Sequence, residues 1–176
     1  SEMCIRDRYN IKTTLSVVPN SSEIYPEYLP YFIQSSQEDL FTYISGHVGN
    51  SLTFINPTET LMEHKSEYIY YKTDHHYSTL GAYYVYETLG DVLGYTPYKL
   101  TDFTIKEVAN DFEGTYYSKA NDYFLPKDKM YYFLPLKENP VKLYYDFKQS
   151  EGDTLYNETY LTKKDKYASF LDSNHT

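Results

Sequence analysis

Asp74, His75 and His76 are consecutive, and they offer the side-chain chemistry best suited to proton transfer in this 176-residue chain. A tyrosine-rich run before them predicts extended backbone, and a helix is predicted directly after them. Because side chains alternate in extended backbone, we expect Asp74 and His76 to project to one side and His75 to the other. A carboxylate that binds one imidazole nitrogen leaves the other nitrogen free to take a proton from a hydroxyl group. Asp74 and His76 could therefore be two members of a catalytic triad, whereas a polar pair capping the next helix is the non-catalytic alternative.

Asp and His are also ligands of zinc and manganese, so a metal site has to be considered. Such a site needs three or more convergent ligands, and His75 is expected on the opposite side of the backbone from Asp74 and His76. His47 and His64 fall in predicted helices, and His175 lies at the end of the chain. An Asp-x-Asp pattern upstream of the motif, as in Asp-His-His metallophosphoesterases, does not occur in residues 9–176. We therefore expect no metal and no cofactor, and we keep a metal-dependent phosphoesterase as an alternative.

The elements expected to position the motif follow an α/β pattern over residues 9–102. Short apolar runs predict buried strands, and apolar residues three and four apart predict helices that each pack one face on a sheet. The predicted strands are Thr13–Val18, Leu52–Ile55 and Tyr68–Tyr71. The predicted helices are Gln37–Val48 with Ser36 as N-cap, Pro57–Lys65 with Leu61 and Met62 inward, and a third that begins at Ser78 or Thr79 and has Gly94 as the residue after its end. The packed face of the third helix is expected to comprise Ala82, Val85, Tyr86, Leu89, Val92 and Leu93.

A different pattern follows over residues 103–162, where short runs alternate with turn residues and predict a mostly β insertion. The expected strands are Thr104–Val108, Thr115–Ser118, Met130–Leu134 and Val141–Phe147. Residues 163–176 are expected to return to the α/β core.

Composition limits the possible partners. The formal net charge of −9 argues against nucleic acid, because phosphate binding needs a basic surface. The chain has 24 tyrosines and no tryptophan. Tyrosine rings can line grooves that bind sugars, although aromatic residues also simply fill strands.

The segment Tyr70–Val85 resembles the DHHW proteins, which are bacterial and SGNH-hydrolase-like and are related to the acyltransferase domains of alginate acetylation. The resemblance extends from about Thr13 to the end of the chain and includes the stretches Asp111–Lys119 and Asp165–Leu171. Tyr77 stands where the family usually has tryptophan, and its ring could pack beside the imidazole of the motif.

The resemblance implies an α/β, SGNH-hydrolase-like three-layer core with a permuted order of motifs. It implies that His76 activates a serine and that Asp74 orients His76, with His75 and Tyr77 in support. Asn174 and His175 match an Asn-His pair of the family, whose asparagine would stabilise the oxyanion. Asp172 and Ser173 replace the two glycines expected there, so a simple turn is the alternative for this stretch.

The two ends of the chain carry further expectations. Ser1–Arg8 looks like a translated sequencing adaptor, as found in metagenomic assemblies, and is excluded from the fold; Cys4 goes with it. The resemblance places the serine block after residue 176, so we expect an incomplete, inactive domain. It also implies an extracytoplasmic location in the bacterial cell envelope or outside it, with membrane association only through a segment upstream of this chain.

The sequence thus predicts a fragment of a serine-type O-acyl esterase or O-acetyltransferase that acts on cell-envelope polysaccharide, with a polysaccharide or acyl ester as substrate. The alternative is a non-catalytic, tyrosine-rich module that binds glycans. The substrate sugar, the acyl donor and the oligomeric state are left open.

Overall fold

The computed structural model describes residues 5, 8–33, 36–48, 52–120, 124–137, 141–142, 144–145, 148–149 and 155–171. The predicted site residues Asn174 and His175, like Asp172 and Ser173, lie outside these ranges. The chain divides into two compact units, the first formed by Ser1–Ile69 with Leu80–Pro97 and the second by Tyr70–Thr79 with Tyr98–Thr176.

Among its described residues, the first unit contains a parallel strand pair, α-helices and a 3₁₀ turn (Pro26–Tyr28). Its last helix begins at Thr79, the final residue of the neighbouring segment of the second unit. Its elements are β1 (Thr14–Ser16), α1 (Ser21–Ile24), α2 (Glu38–Val48), β2 (Thr53–Ile55), α3 (Thr58–Glu63) and α4 (Thr79–Leu93). Leu15 of β1 lies opposite Phe54 of β2. Parallel strands need a crossover connection, and residues 17–52 with α2 provide it. Ile24, Leu61 and Ile69 are fully buried in this unit.

The second unit is built around an antiparallel ribbon. Its elements are a 3₁₀ turn (Leu100–Asp102), β3 (Phe103–Phe112), α5 (Thr115–Ala120), β4 (Asp128–Pro135), β5 (Tyr144–Tyr145), β6 (Lys148–Gln149) and two 3₁₀ turns (Glu158–Thr162 and Tyr167–Ser169). Strands β3 and β4 pair with irregularities in register after Glu107 and after Ala109. Met130 and Tyr132 of β4 are buried, and Phe112 packs edge-on against Tyr71 at 5.0 Å between ring centroids.

Several sequence predictions are confirmed. Helix α2 begins one residue later than expected, and the Ser36 hydroxyl accepts a hydrogen bond from the Glu38 amide at 3.1 Å. Helix α4 runs from Thr79 to Leu93. Gly94 follows it in the left-handed region at φ 77° and donates to the carbonyl of Gly90 at 2.8 Å, which is a usual way to end a helix.

Other predictions are wrong. Leu15 is partly exposed, so β1 is not a buried strand, and Met62 of α3 faces outward. The packed face of α4 is formed by Gly81, Tyr83, Tyr84, Val85 and Gly90, while Val92 and Leu93 are exposed. The spacing of the apolar residues alone predicts a packed face that is rotated by about one position. The difference arises because Tyr83 and Tyr84, which the spacing does not include, also pack on this helix.

Two predicted strands are absent from the described residues. Residues 115–118 belong to helix α5, and Tyr68–Tyr71 forms no strand. Only Tyr70 pairs, in an isolated antiparallel bridge with Tyr77. Both segments are rich in tyrosine, and the β-preference of aromatic residues depends on pairing with neighbouring strands, which the described residues do not provide here. Among the helices that the structure describes, none is long and apolar enough to cross a bilayer.

Candidate active site around Asp74

The Asp-His-His motif lies in a tight loop of the second unit. The antiparallel bridge between Tyr70 and Tyr77 brings the two ends of the loop together. The Tyr71 amide donates to the carbonyl of His76 at 3.3 Å and closes the loop further. The backbone of the motif therefore turns back on itself instead of running extended.

This loop brings both imidazoles to the same carboxylate. Asp74 is 3% exposed, and its Oδ1 atom lies 3.2 Å from Nδ1 of His76 and 2.8 Å from Nδ1 of His75. The two imidazole rings are 3.8 Å apart between centroids. The predicted contact between Asp74 and His76 is present, but the prediction that His75 points to the opposite side is wrong, because alternation holds only in extended backbone.

Oδ1 of Asp74 also accepts hydrogen bonds from two further donors. The backbone amide of His75 donates to it at 2.6 Å, and the Thr115 hydroxyl donates at 3.0 Å. Thr115 Oγ1 lies 2.9 Å from Nδ1 of His75 as well. Thr115 thus ties helix α5 to both Asp74 and His75.

His76 has an aromatic neighbour on one ring face. The ring of Tyr167 stacks on it at 4.3 Å between centroids and an interplanar angle of 16°. Burial, together with the nearby Tyr77 and Asp74, raises the pKa of Tyr167 to about 12, so this neighbour stays uncharged at neutral pH. The His76 side chain remains 37% exposed. Since Nδ1 faces Asp74, Nε2 is the nitrogen left for a substrate or a nucleophile.

Tyr77, which was expected to pack beside this imidazole, has its ring edge-on to Tyr70 at 6.4 Å. The aromatic residue that stacks on the imidazole comes instead from the 3₁₀ turn at Tyr167. Tyr77 supports the loop through its bridge to Tyr70.

A second buried carboxylate, Asp128 at the start of β4, holds the backbone in front of Asp74. Its Oδ1 accepts from the Lys72 amide at 2.9 Å, and its Oδ2 accepts from the Thr73 amide at 2.7 Å and the Thr73 hydroxyl at 2.5 Å. These are charge-assisted hydrogen bonds in a buried setting, where such bonds are strong. Asp128 therefore fixes the residue that precedes the catalytic candidate.

Gly114 completes this anchorage. Its amide donates to the Thr73 hydroxyl at 3.1 Å. A side chain at this position would collide with the Asp74 Cβ and with the Thr73 carbonyl. The same carbonyl accepts the amides of Tyr116 and Tyr117 at 2.9 and 3.2 Å, so the first turn of α5 is fastened to the motif.

An open groove of about 380 Å³ borders Asp74 on the side of α5. Thr115 and Tyr167 line it beside Asp74, and Lys119 and Lys164 also contribute side chains. The arrangement therefore places a buried acid, a partly exposed imidazole and an open groove in one unit. A carboxylate beside an imidazole with one nitrogen open to solvent is an arrangement used in acid–base chemistry, and the groove borders it on the side of Asp74.

The remaining histidines of the described residues lie elsewhere. His47 stacks on Tyr43 in α2, and His64 stacks on Tyr84 and lies 2.6 Å from Glu67. Neither joins the Asp-His-His loop. The requirement for three convergent ligands is nevertheless met by the motif itself, because one ligand atom from each of Asp74, His75 and His76 lies within 4.8 Å of the others.

Sequence reasoning did not assign roles to Thr115, Gly114, Tyr167 or Asp128. The first three lie in the two stretches that resemble the DHHW proteins, so the resemblance itself was a usable signal for them. Asp128 lies outside those stretches, and only the fold brings it to Thr73.

Several solved structures of other proteins are similar to this chain. No curated protein matches the chain. A crystal structure of a DHHW family protein from Eubacterium siraeum DSM 15702 matches with a TM-score of 0.78 at 22% identity, over 93% of this chain and 55% of that one. Bacillus cereus PatB1 matches with a TM-score of 0.62 at 18% identity, over 88% and 57%. The O-acetyltransferase domain of Pseudomonas putida AlgJ matches with a TM-score of 0.56 at 18% identity, over 80% and 56%.

At these identities the likeness shows a common α/β fold, as the sequence predicted. The chain spans little more than half the length of each of these structures. The DHHW protein family model matches residues 32–176, and the chain therefore belongs to the DHHW family.

Proposed function

We propose that this chain carries the acid–base half of a serine-type enzyme that transfers O-acyl groups, with His76 as general base and Asp74 as the residue that orients it. The observation that carries this proposal is the contact of 3.2 Å between Oδ1 of the buried Asp74 and Nδ1 of His76. The contact favours the imidazole tautomer with hydrogen on Nδ1, which would leave Nε2 unprotonated, as a base requires.

The reaction would follow two balanced half-steps. Nε2 of His76 takes the proton of a serine hydroxyl, supplied from outside the described residues, while the serine oxygen attacks the acyl carbonyl. The tetrahedral intermediate expels an alcohol, which takes the proton back from His76 and leaves an acyl-enzyme. A second hydroxyl compound then attacks by the same route. Water gives hydrolysis, and a sugar hydroxyl gives transfer. We assign Asn174 to the oxyanion, with His175 beside it.

The acyl group and the acceptor are narrower proposals. AlgJ, whose solved domain is named an O-acetyltransferase, has the same fold, which supports acetyl as the acyl group and transfer as the direction. We propose a polysaccharide of the bacterial cell envelope as the acceptor, and accordingly an extracytoplasmic location. A plain esterase acting on such a polysaccharide uses the same residues, so the acceptor distinguishes the two activities.

The proposal is tested with a polypeptide that contains this chain together with the nucleophile. We expect it to hydrolyse p-nitrophenyl acetate, and we expect His76→Ala to lower kcat/KM by about 10³-fold or more. Asp74→Asn should keep a low residual rate, because a neutral imidazole can still accept a proton when poorly oriented. His47→Ala removes an exposed imidazole in α2 and serves as the matched control, with unchanged turnover.

Equal turnover in wild type and His76→Ala would end the acyl-transfer proposal. The unfolding midpoint of each variant is measured first, so that a loss of activity is not caused by loss of folding.

A glycan-binding module is the second candidate, and exposed aromatic residues favour it. Tyr31 is 94% exposed, and Tyr28 and Phe32 beside it are also largely exposed. Tyr31 and Phe32 meet edge-on at 5.6 Å, which presents two ring faces to solvent. If binding is the function, the chain should sediment with insoluble polysaccharide, Tyr31→Ala should release it, and His76→Ala should not. Equal sedimentation of wild type and Tyr31→Ala would remove this candidate.

A further inference from the structure

We propose that Asp74, His75 and His76 form a binding site for a single divalent transition-metal ion, best suited to Zn²⁺. The ligands would be the Asp74 carboxylate and one nitrogen of each imidazole. Asp and His are oxygen and nitrogen ligands of zinc, and three protein ligands with an open fourth position are a common zinc arrangement. The inference concerns binding, and it does not depend on the acyl-transfer proposal.

Distances between the ligand atoms support the site. Zinc binds nitrogen and carboxylate oxygen at about 2.0–2.2 Å, so ligand atoms of a tetrahedral site lie roughly 3.3 Å from one another. Oδ1 of Asp74 lies 2.8 Å from Nδ1 of His75 and 3.2 Å from Nδ1 of His76. All three ligand atoms fall within 4.8 Å. To bind one ion, the imidazoles have to rotate until all separations approach the tetrahedral value, and their exposure to solvent leaves room for this.

Crowding at the carboxylate favours a cation. Oδ1 of Asp74 has three hydrogen-bond partners within 3.2 Å: the His75 amide, the Thr115 hydroxyl and Nδ1 of His76. Nδ1 of His75 lies 2.8 Å from the same oxygen and is hydrogen-bonded to the Thr115 hydroxyl. A carboxylate oxygen offers about two lone-pair positions, so three donors crowd it. A metal ion between these groups would take up the lone pairs of both Nδ1 atoms and would remove Nδ1 of His76 from the competition for Oδ1.

Accessibility is suitable for a bound ion that keeps a water ligand. Asp74 is buried, whereas the His75 and His76 side chains are 50% and 37% exposed. The imidazoles can therefore adjust, and an ion can enter from solvent on their side. Thr115, which donates to Oδ1 of Asp74 at 3.0 Å, would orient the carboxylate, which is the usual task of a residue that hydrogen-bonds to a metal ligand.

Metal binding would have a functional consequence that does rest on the acyl-transfer proposal. An ion held by Asp74 and Nδ1 of His76 replaces the hydrogen bond between them. The base is then no longer oriented by its carboxylate, so zinc should inhibit acyl transfer and a chelator should restore it.

Binding is tested by isothermal titration of this chain with ZnCl₂. All proteins carry Cys4→Ser, because Cys4 is the one thiol of the sequence and would bind zinc by itself. We expect saturable binding of one ion, and we expect His75→Ala, His76→Ala and Asp74→Asn each to weaken it by about tenfold or more. His47→Ala should bind as the parent does.

His75→Ala is the decisive variant, because it removes a ligand and leaves the contact between Asp74 and His76 in place. Its unfolding midpoint, measured beside the titration, excludes loss of folding, and His75→Gln provides a second variant of similar size. Absence of saturable binding in the parent, or equal binding by His75→Ala and the parent, would overturn the inference. Since calorimetry needs no substrate, its result is independent of the p-nitrophenyl acetate assay. If a chelator instead abolishes the acyl-transfer activity, the prediction that zinc inhibits is wrong and the metal takes part in catalysis.

Discussion

Asp74 and Asp128 contact different parts of the Asp-His-His loop. Asp128 accepts three hydrogen bonds from Lys72 and Thr73, and so fixes the backbone that leads into the motif. Asp74 accepts from the side chain of Thr115 and faces the two imidazoles. One carboxylate thus positions the chain and the other positions the rings. Burial of a carboxylate in this unit is therefore not by itself a sign of a catalytic role, and the contact with His76 is what distinguishes Asp74.

Removal of the Asp128 side chain should be costly. Asp128→Ala leaves the Lys72 and Thr73 amides and the Thr73 hydroxyl without their acceptor, and we expect the free energy of unfolding to fall by about 2–4 kcal/mol. Urea unfolding measures this change. Asp91→Ala on the exposed side of α4 is the control, with a change within about 0.5 kcal/mol. Equal effects of the two substitutions would show that Asp128 does not anchor the loop.

At the scale of elements, the turn before α5 decides where Asp74 lies. Gly114 allows the start of α5 to approach Thr73 and Asp74 more closely than any residue with a Cβ could. Strand β4 supplies Asp128 on the other side of the same segment. The site therefore depends on the junction of β3 with α5 and on the start of β4, which are all contained in the second unit.

Two glycine substitutions test this dependence, and we expect them to change the free energy of unfolding in opposite directions. Gly114→Ala places a Cβ against the backbone of Thr73, and overpacking of this kind typically costs about 1–3 kcal/mol. Gly46→Ala lies in the exposed interior of α2 with no atom near its Cβ, so it should stabilise the chain by about 0.5–1 kcal/mol. Urea unfolding of both variants measures the two changes. If Gly114→Ala is as stable as Gly46→Ala, the close packing at Asp74 is not real.

The sequence was a good guide to helices with clear ends. Helix α4 has a polar start at Thr79 and Gly94 after its end, and both features are local to the sequence. The segments at Tyr68–Tyr71 and Thr115–Ser118 have no such local features, and their aromatic content led to wrong strand predictions. The contact between Asp74 and His76 was predictable from spacing and resemblance. The convergence of His75 on the same carboxylate was not, because it depends on the loop that the bridge between Tyr70 and Tyr77 creates.

The whole molecule is distinguished by its 24 tyrosines. Several of them are buried, among them Tyr71, Tyr84 and Tyr132. Burial raises the pKa of Tyr71, Tyr84, Tyr132 and Tyr156, and it raises that of Tyr167 to about 12. In the unfolded chain a tyrosine loses its proton near pH 10. The contribution of these groups to stability is therefore fully present below about pH 10 and is lost as the pH rises toward their folded pKa values.

We accordingly expect the free energy of unfolding to fall between about pH 9.5 and pH 11.5, because the unfolded chain then binds fewer protons than the folded chain. Each strongly buried tyrosine adds up to about 1.4 kcal/mol per pH unit to this slope. Tyr71→Phe removes one such group and should make the slope shallower. Urea midpoints at several pH values provide the measurement. A midpoint that does not change with pH in this range, or an unaltered slope in Tyr71→Phe, would contradict the burial of these hydroxyl groups.

The contact between Asp74 and His76 is the basis of the functional proposal, and the tautomer of His76 reports on it directly. Long-range ¹H–¹⁵N correlation spectra of the chain with ¹⁵N-labelled histidine rings show which nitrogen carries the hydrogen. They are recorded in the presence of a chelator and near pH 8.5, where ordinary imidazoles are neutral, and His76→Ala identifies the resonances. We predict that His76 carries its hydrogen on Nδ1, that Nε2 is unprotonated, and that Asp74→Asn removes this preference. A hydrogen on Nε2 of His76 in the wild-type chain would contradict the account.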